Sequence, residues 1–151
     1  MAILAENKKV IHNYQILEKY EAGLVLSGPG VKSVKKGQIN LKGSYITISP
    51  NQEAWLINAH IAPYPPAKRE QKDYNPLRKR KILLHKKEII SLLGKSKQKG
   101  LTILPLKVYT KHGFVKIEIG LAKGKKKYDK RELIKKRETE RKIRRALRGK
   151  V

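Results

Sequence analysis

At 151 residues the chain has room for one domain and a tail, and 37 Lys and Arg against 12 Asp and Glu give it a formal net charge of +25. That excess points to a polyanionic partner. Cysteine is absent, which excludes disulfides and thiolate zinc sites and fits a cytoplasmic protein.

No apolar run approaches the ~18 residues needed to cross a bilayer. Met1 to Lys9 lacks the order of charge, apolar core and cleavage site of a signal peptide. Nucleic acid is therefore a stronger partner than a membrane.

Residues 1–13 read as a polar, loose lead-in. From Tyr14 to Leu26 the pattern alternates, with Ile16, Tyr20, Ala22, Leu24 and Leu26 on one side of a strand. Gly23 suggests a bend or bulge there. Ser27-Gly28-Pro29-Gly30 breaks the strand, and a short basic helix follows to Gly37, with Val31 and Val34 on its apolar face. Tyr45–Ile48 and Ala54–Ile57 are strands joined by a loop. The prolines of His60–Pro66 take the chain out of the sheet. Lys68 to Lys81 is a loop with seven Lys and Arg, read either as a solvated linker or as an RNA contact.

Ile82 to Gln98 reads as a helix capped at His85, with Glu88 three residues later and Ile89, Leu92 and Leu93 facing a core. Leu101–Thr110 and Phe114–Ala122 form a last hairpin. In its second strand Val115, Ile117, Ile119 and Leu121 alternate with wet Lys116, Glu118 and Gly120. Five or six strands with one short and one longer helix fit a mainly β fold, a small OB-fold-like barrel over residues 1–122. Residues 123–151 form a basic tail with fifteen Lys and Arg against four Asp and Glu. Glu132–Lys136 and Glu138–Lys142 have helix-supporting spacing. The tail reads as disordered alone and helical when bound.

No enzyme constellation stands out. His12, His60, His85 and His112 are too scattered to share a metal, and Gly124-Lys125-Lys126 lacks the rest of a P-loop. We expect no catalytic residue, metal or cofactor. Lys116 and Glu21 lie on outward strand faces, where an ordinary solvated charge is the competing reading. A carboxylate on an RNA surface can accept from base edges or a ribose hydroxyl. Tyr45, Tyr64 and Trp55 could stack on bases, although Trp55 in an apolar strand is more often core.

Glu21-Ala22-Gly23-Leu24, Val31-Lys32-Ser33, Ser44-Tyr45, His60-Ile61-Ala62-Pro63-Tyr64, Arg80 to Ile89 and Gly124-Lys125-Lys126-Lys127-Tyr128-Asp129-Lys130-Arg131 occur in this order. Together they resemble the SsrA-binding protein (small protein B) family of bacterial trans-translation. The resemblance implies an OB-fold barrel that binds the tRNA-like domain of transfer-messenger RNA, acting as a monomer. It implies a tail that enters the decoding centre and empty mRNA channel of a stalled small subunit, against 16S rRNA. By motif, Glu21, Leu83 and Lys116 match positions implicated in RNA binding, with Asn7 and His12 in the N-terminal part of that surface. Lys123 and Gly124 match the start of the tail, and Tyr128 a position that stacks on ribosomal RNA.

Three departures stand out. Gly30 stands where the family usually has Glu before Val-Lys-Ser, Asn75 where it usually has Asp before Pro, and Tyr128 where it often has His. The alternative is a basic ribosomal protein with its tail buried in rRNA. Such a protein would stay with washed subunits at about one copy each, whereas the adaptor would not.

Overall fold

The computed structural model describes residues 2–67, 72–124 and 141. Its elements run β1 (Ala2–Glu6), α1 (Lys8–Asn13), β2 (Tyr14–Leu24), α2 (Gly28–Lys35), β3 (Ile39–Asn40), β4 (Tyr45–Ile48), β5 (Ala54–Ile57), β6 (His60–Ile61), β7 (Arg80–Leu83), α3 (Lys86–Ser96), β8 (Leu101–Lys111) and β9 (Phe114–Gly124). The main sheet is ordered β1-β8-β4-β5-β7-β2-β9, and β8 also pairs with β9. Six antiparallel strands therefore close into a ring, with β1 added beside β8 and a separate β3–β6 pair. Closure removes the unpaired edges that an open sheet would expose.

The long β8–β9 hairpin turns at His112 and Gly113, both with positive φ (52° and 79°). That suits a two-residue turn matching strand twist, with Gly supplying one left-handed position. From β9, Ile117 and Ile119 point inward at 0% exposure, and Leu56, Ile61, Ile82 and Leu92 pack with them.

Two register shifts reorganise the outer face. In β2 the shift lies between Ile16 and Glu18, at Leu17 rather than at the expected Gly23. The extra residue flips the phase. Ile16 therefore leaves the face shared by Tyr20, Ala22 and Leu24 and pairs with Ala122 on the other side. In β8 the shift lies between Pro105 and Lys107, where a proline costs no ladder bond. Leu104, Leu106, Val10 and Ala122 then form a second apolar cluster with Tyr14 and Ile16. Gly120 is buried beneath it, not wet: a Cβ there would lie 3.1 Å from both Ile16 and Leu106.

The lead-in is ordered rather than loose. β1 pairs with β8, and the Asn7 N–H donates to Leu106 O at 2.7 Å. The Asn7 side-chain amide donates to Pro105 O and Leu41 O, and Val10 of α1 covers the second cluster. The polar sequence hid this because the helix has a single buried apolar residue.

α2 is capped by Ser27, whose hydroxyl accepts from the Gly30 N–H. Gly30 holds the third helical position, where a Glu would complete the reciprocal half of a capping box; that half is missing here. Ser33 donates to Ala62 O at 2.6 Å, tying α2 to the segment after β6, and Lys32 and Lys36 lie over the Tyr64 ring. Asn75 keeps its turn chemistry by accepting from the Leu77 N–H.

The expected helix from Ile82 begins only at Lys86. Ile82 and Leu83 belong to β7, which pairs with β5 and β2. Glu88 accepts from the His85 N–H, as the capping spacing predicted. Leu92 is buried, and Lys95 reaches across to Glu18 at 2.7 Å, so α3 is fixed against β2. Arg80 is 3% exposed and donates to Ala59 O, Pro76 O and the Tyr74 hydroxyl. These acceptors satisfy a buried cation without a carboxylate and anchor residues 74–76.

Asn7→Ala should lower stability by about 1–3 kcal/mol, because it strands two carbonyls that the amide serves. Denaturant unfolding followed by circular dichroism checks this. A change under about 0.5 kcal/mol would contradict the anchoring role.

Candidate RNA interface

Antiparallel pairing places Gly23 opposite Leu83 on one side and opposite Lys116 on the other. Facing residues share one side of a sheet. With no side chain at Gly23, the flanking strands open a groove of about 320 Å³ lined by Glu21, Gly23, Leu83, Leu84, His85 and Lys116. Leu83 is 56% exposed, so it does not pack the core. A Cβ on Gly23 would lie 3.5 Å from the Cβ of Leu83. Glu21, Leu83 and Lys116 are thus brought together from three strands.

Glu21 is held in place. The Tyr109 hydroxyl of β8 donates to its carboxylate, and the Lys111 ammonium lies 3.5 Å away. The Tyr109 hydrogen bond, followed by the charges of Lys111 and Lys116, keeps the Glu21 carboxyl below the usual range. Burial first, and then the bond to Glu21, push the Tyr109 hydroxyl up. Tyr109 sits opposite Lys116 in the β8–β9 ladder and is 3% exposed. Sequence reasoning missed it. A tyrosine in an apolar strand reads as core, and the β8 bulge hid its outward phase.

The remaining expected site residues lie elsewhere. Asn7 is 5% exposed and spends its amide on Leu41 and Pro105. It borders a separate hollow of about 500 Å³ with Lys9, Asn13, Tyr14, Lys42 and Tyr45. His12 is exposed in the last turn of α1. Lys123 and Gly124 are the last residues of β9, paired with Gln15 and Tyr14. The strand thus runs two residues past the expected boundary at 122. Lys123 stands roughly 23 Å along β9 from Lys116, at about 3.3 Å per residue. Lys125, Lys126, Lys127, Tyr128, Asp129, Lys130 and Arg131 lie outside the described residues, as does the expected tail helix.

Among the described residues no group of three or more His, Asp or Glu could hold a metal, and no helix is long and apolar enough to cross a membrane. The groove offers an anionic hydrogen-bond acceptor, an ammonium and an exposed leucine. Those suit hydrogen bonding, phosphate pairing and base contact.

In Tyr109→Phe the Glu21 carboxyl should titrate higher than in the unaltered chain, as read by NMR of the carboxyl carbon. An unchanged titration would contradict the positioning role. Because Glu21 is depressed in the fold, its stabilisation is full above its unfolded value and is lost as pH falls through the folded one. The stability gap between the two proteins should therefore narrow on acidification.

Comparison with known proteins gives a single direction. The family model described as "SmpB protein" matches residues 4–149. An SsrA-binding protein of Sulfurihydrogenibium sp. (strain YO3AOP1) is 56% identical over 149 residues, covering 99% of this chain and 96% of its own. One from Persephonella marina is 54% identical over 149 residues with the same coverage. One from Carboxydothermus hydrogenoformans is 53% identical over 147 residues, 97% of each chain. A solved chain described as "tmRNA-SmpB: a journey to the center of the bacterial ribosome" superposes with a TM-score of 0.64 at 46% identity, over 82% of this chain and 85% of that one. With both the sequence match and the barrel in agreement, the chain belongs to the SmpB family.

Proposed function

We propose that this protein is a cytoplasmic RNA-binding adaptor, not an enzyme. It binds the tRNA-like domain of transfer-messenger RNA and delivers it to stalled ribosomes for trans-translation. Residues 1–124 form the RNA-holding barrel. The tail after Gly124 acts in the decoding centre and empty mRNA channel of the small subunit, with Tyr128 stacking on 16S rRNA.

The observation that carries this reading is the convergence of Glu21, Leu83 and Lys116 on one groove. Lys116 pairs with a phosphate, Glu21 accepts from a base edge or ribose hydroxyl, and Leu83 packs against a base or sugar. A charge of +25 also supplies long-range attraction. That attraction alone does not select one RNA; the groove's shape and the Glu21 carboxylate do. Family membership supports the same partner, since relatives at 53–56% identity are called SsrA-binding proteins.

Lys116→Ala should weaken binding to the tRNA-like domain about 10- to 100-fold, the range for a hydrogen bond to a charged group. It should also flatten the log–log salt dependence by roughly 0.7–0.9. Glu21→Ala should weaken binding without flattening that slope. Filter binding across a salt series separates the two, and native affinity in both variants would contradict the groove's role.

Truncation after Gly124 keeps β9 whole. It should leave this affinity within about tenfold while abolishing tagging in a reconstituted translation reaction, because the tail meets its phosphates mainly on the ribosome. Loss of all RNA affinity would contradict the division between barrel and tail. In the full chain, Tyr128→Phe should tag better than Tyr128→Ala, and equal activity would exclude stacking.

A further inference from the structure

Trp55, the sole tryptophan of the chain, stands on the outside of the barrel. Its neighbours Ala54 and Leu56 are buried at 1% and 0% exposure, so strand alternation turns the indole away from the core. Of the two readings open to it from sequence, core packing and base stacking, this orientation removes the first. Trp55 sits opposite Lys81 of β7, and the Lys79 ammonium lies 4.5 Å from the ring centroid. Lys81 makes an exposed ion pair with Glu53 at 3.5 Å. Leu83 lies two residues along β7 on the same face, diagonal to Trp55 at roughly 7–8 Å. A flat ring, the lysines Lys79 and Lys81, and an exposed leucine thus run without interruption into the groove that holds Glu21 and Lys116.

We infer that Trp55 is a stacking platform for an unpaired base of the RNA that the barrel carries, with Lys79 and Lys81 meeting the flanking phosphates. The inference rests on the groove of Glu21, Leu83 and Lys116 being an RNA site, and it extends that site across β7 to β5. RNA loops present splayed bases, and an aromatic face accepts any of them. An ammonium resting over a half-buried ring is weakly held. A base can displace Lys79, and the freed ammonium then needs to move only a short way to reach a phosphate. The surrounding positive charge favours a polyanion over a neutral or basic occupant.

The test titrates the full chain with a transcript of the transfer-messenger RNA tRNA-like domain, following tryptophan emission and affinity together. Emission should be quenched at saturation, since Trp55 is its sole tryptophan source. Trp55→Leu should weaken binding about tenfold or more, and Trp55→Tyr should restore most of it. Unquenched emission from the saturated, unaltered chain would overturn the inference, and that readout needs no variant to fold. Native affinity in folded Trp55→Leu would also overturn it. If Lys116→Ala still weakened binding in that case, the groove reading would survive. Native affinity in Lys116→Ala and Glu21→Ala would remove the groove reading, and the inference with it.

Discussion

The outer surface of this barrel depends on the ladder β2–β9–β8. β9 is paired along both edges, so the phase of its side chains is fixed from Phe114 to Gly124. Val115, Ile117, Ile119 and Leu121 must face inward, and Lys116 and Glu118 must face out. A slip of one residue would bury two charges and expose four apolar side chains, so burial holds the register. The position of Lys116 beside Glu21 is therefore a consequence of core packing. No loop has to fold around RNA to create it.

The bulges at Leu17 and Leu106 divide that surface into two zones. Toward one end of β9, they turn Ile16 and Leu106 outward to cover Gly120 and Ala122 under α1. Toward the other end, the face stays free, and Tyr109 sets the carboxylate of Glu21 among Lys111 and Lys116. An acceptor is thus kept ionised within a strongly basic protein. That contrast matters for selectivity, because uniform positive charge attracts any polyanion, whereas a fixed acceptor demands a donor at one place.

Much of this was legible in the sequence. The inward phase of Val115, Ile117, Ile119 and Leu121 in β9, the loop between β4 and β5, the short helix after Ser27 and the Glu88 cap each rest on local chemistry, and each appears where expected. What failed depended on distant partners. β1 and α1 are polar and are ordered by β8 and by the buried Asn7 amide. Ile82 and Leu83 carry an apolar pattern compatible with a helix, and pairing to β5 and β2 makes them strand instead. The groove was legible as three separate residues, but Tyr109 and the outward turn of Trp55 required the register. The motifs of the family become intelligible in the same terms: Ser33 meets the carbonyl of Ala62, and Arg80 ties the segment before β7 to Ala59.

In the proposed division of labour, the barrel carries one RNA and the tail engages another. Ultraviolet cross-linking of the full chain in its own cells, followed by sequencing of the attached RNA and mapping of the linked peptides, tests it most directly. Transfer-messenger RNA fragments from the tRNA-like domain are expected on peptides of β2, β7 and β9, and 16S rRNA fragments on peptides beyond Gly124. Ribosomal RNA on the barrel peptides at about one copy per ribosome, with no transfer-messenger RNA recovered, would contradict it and indicate a ribosomal protein instead.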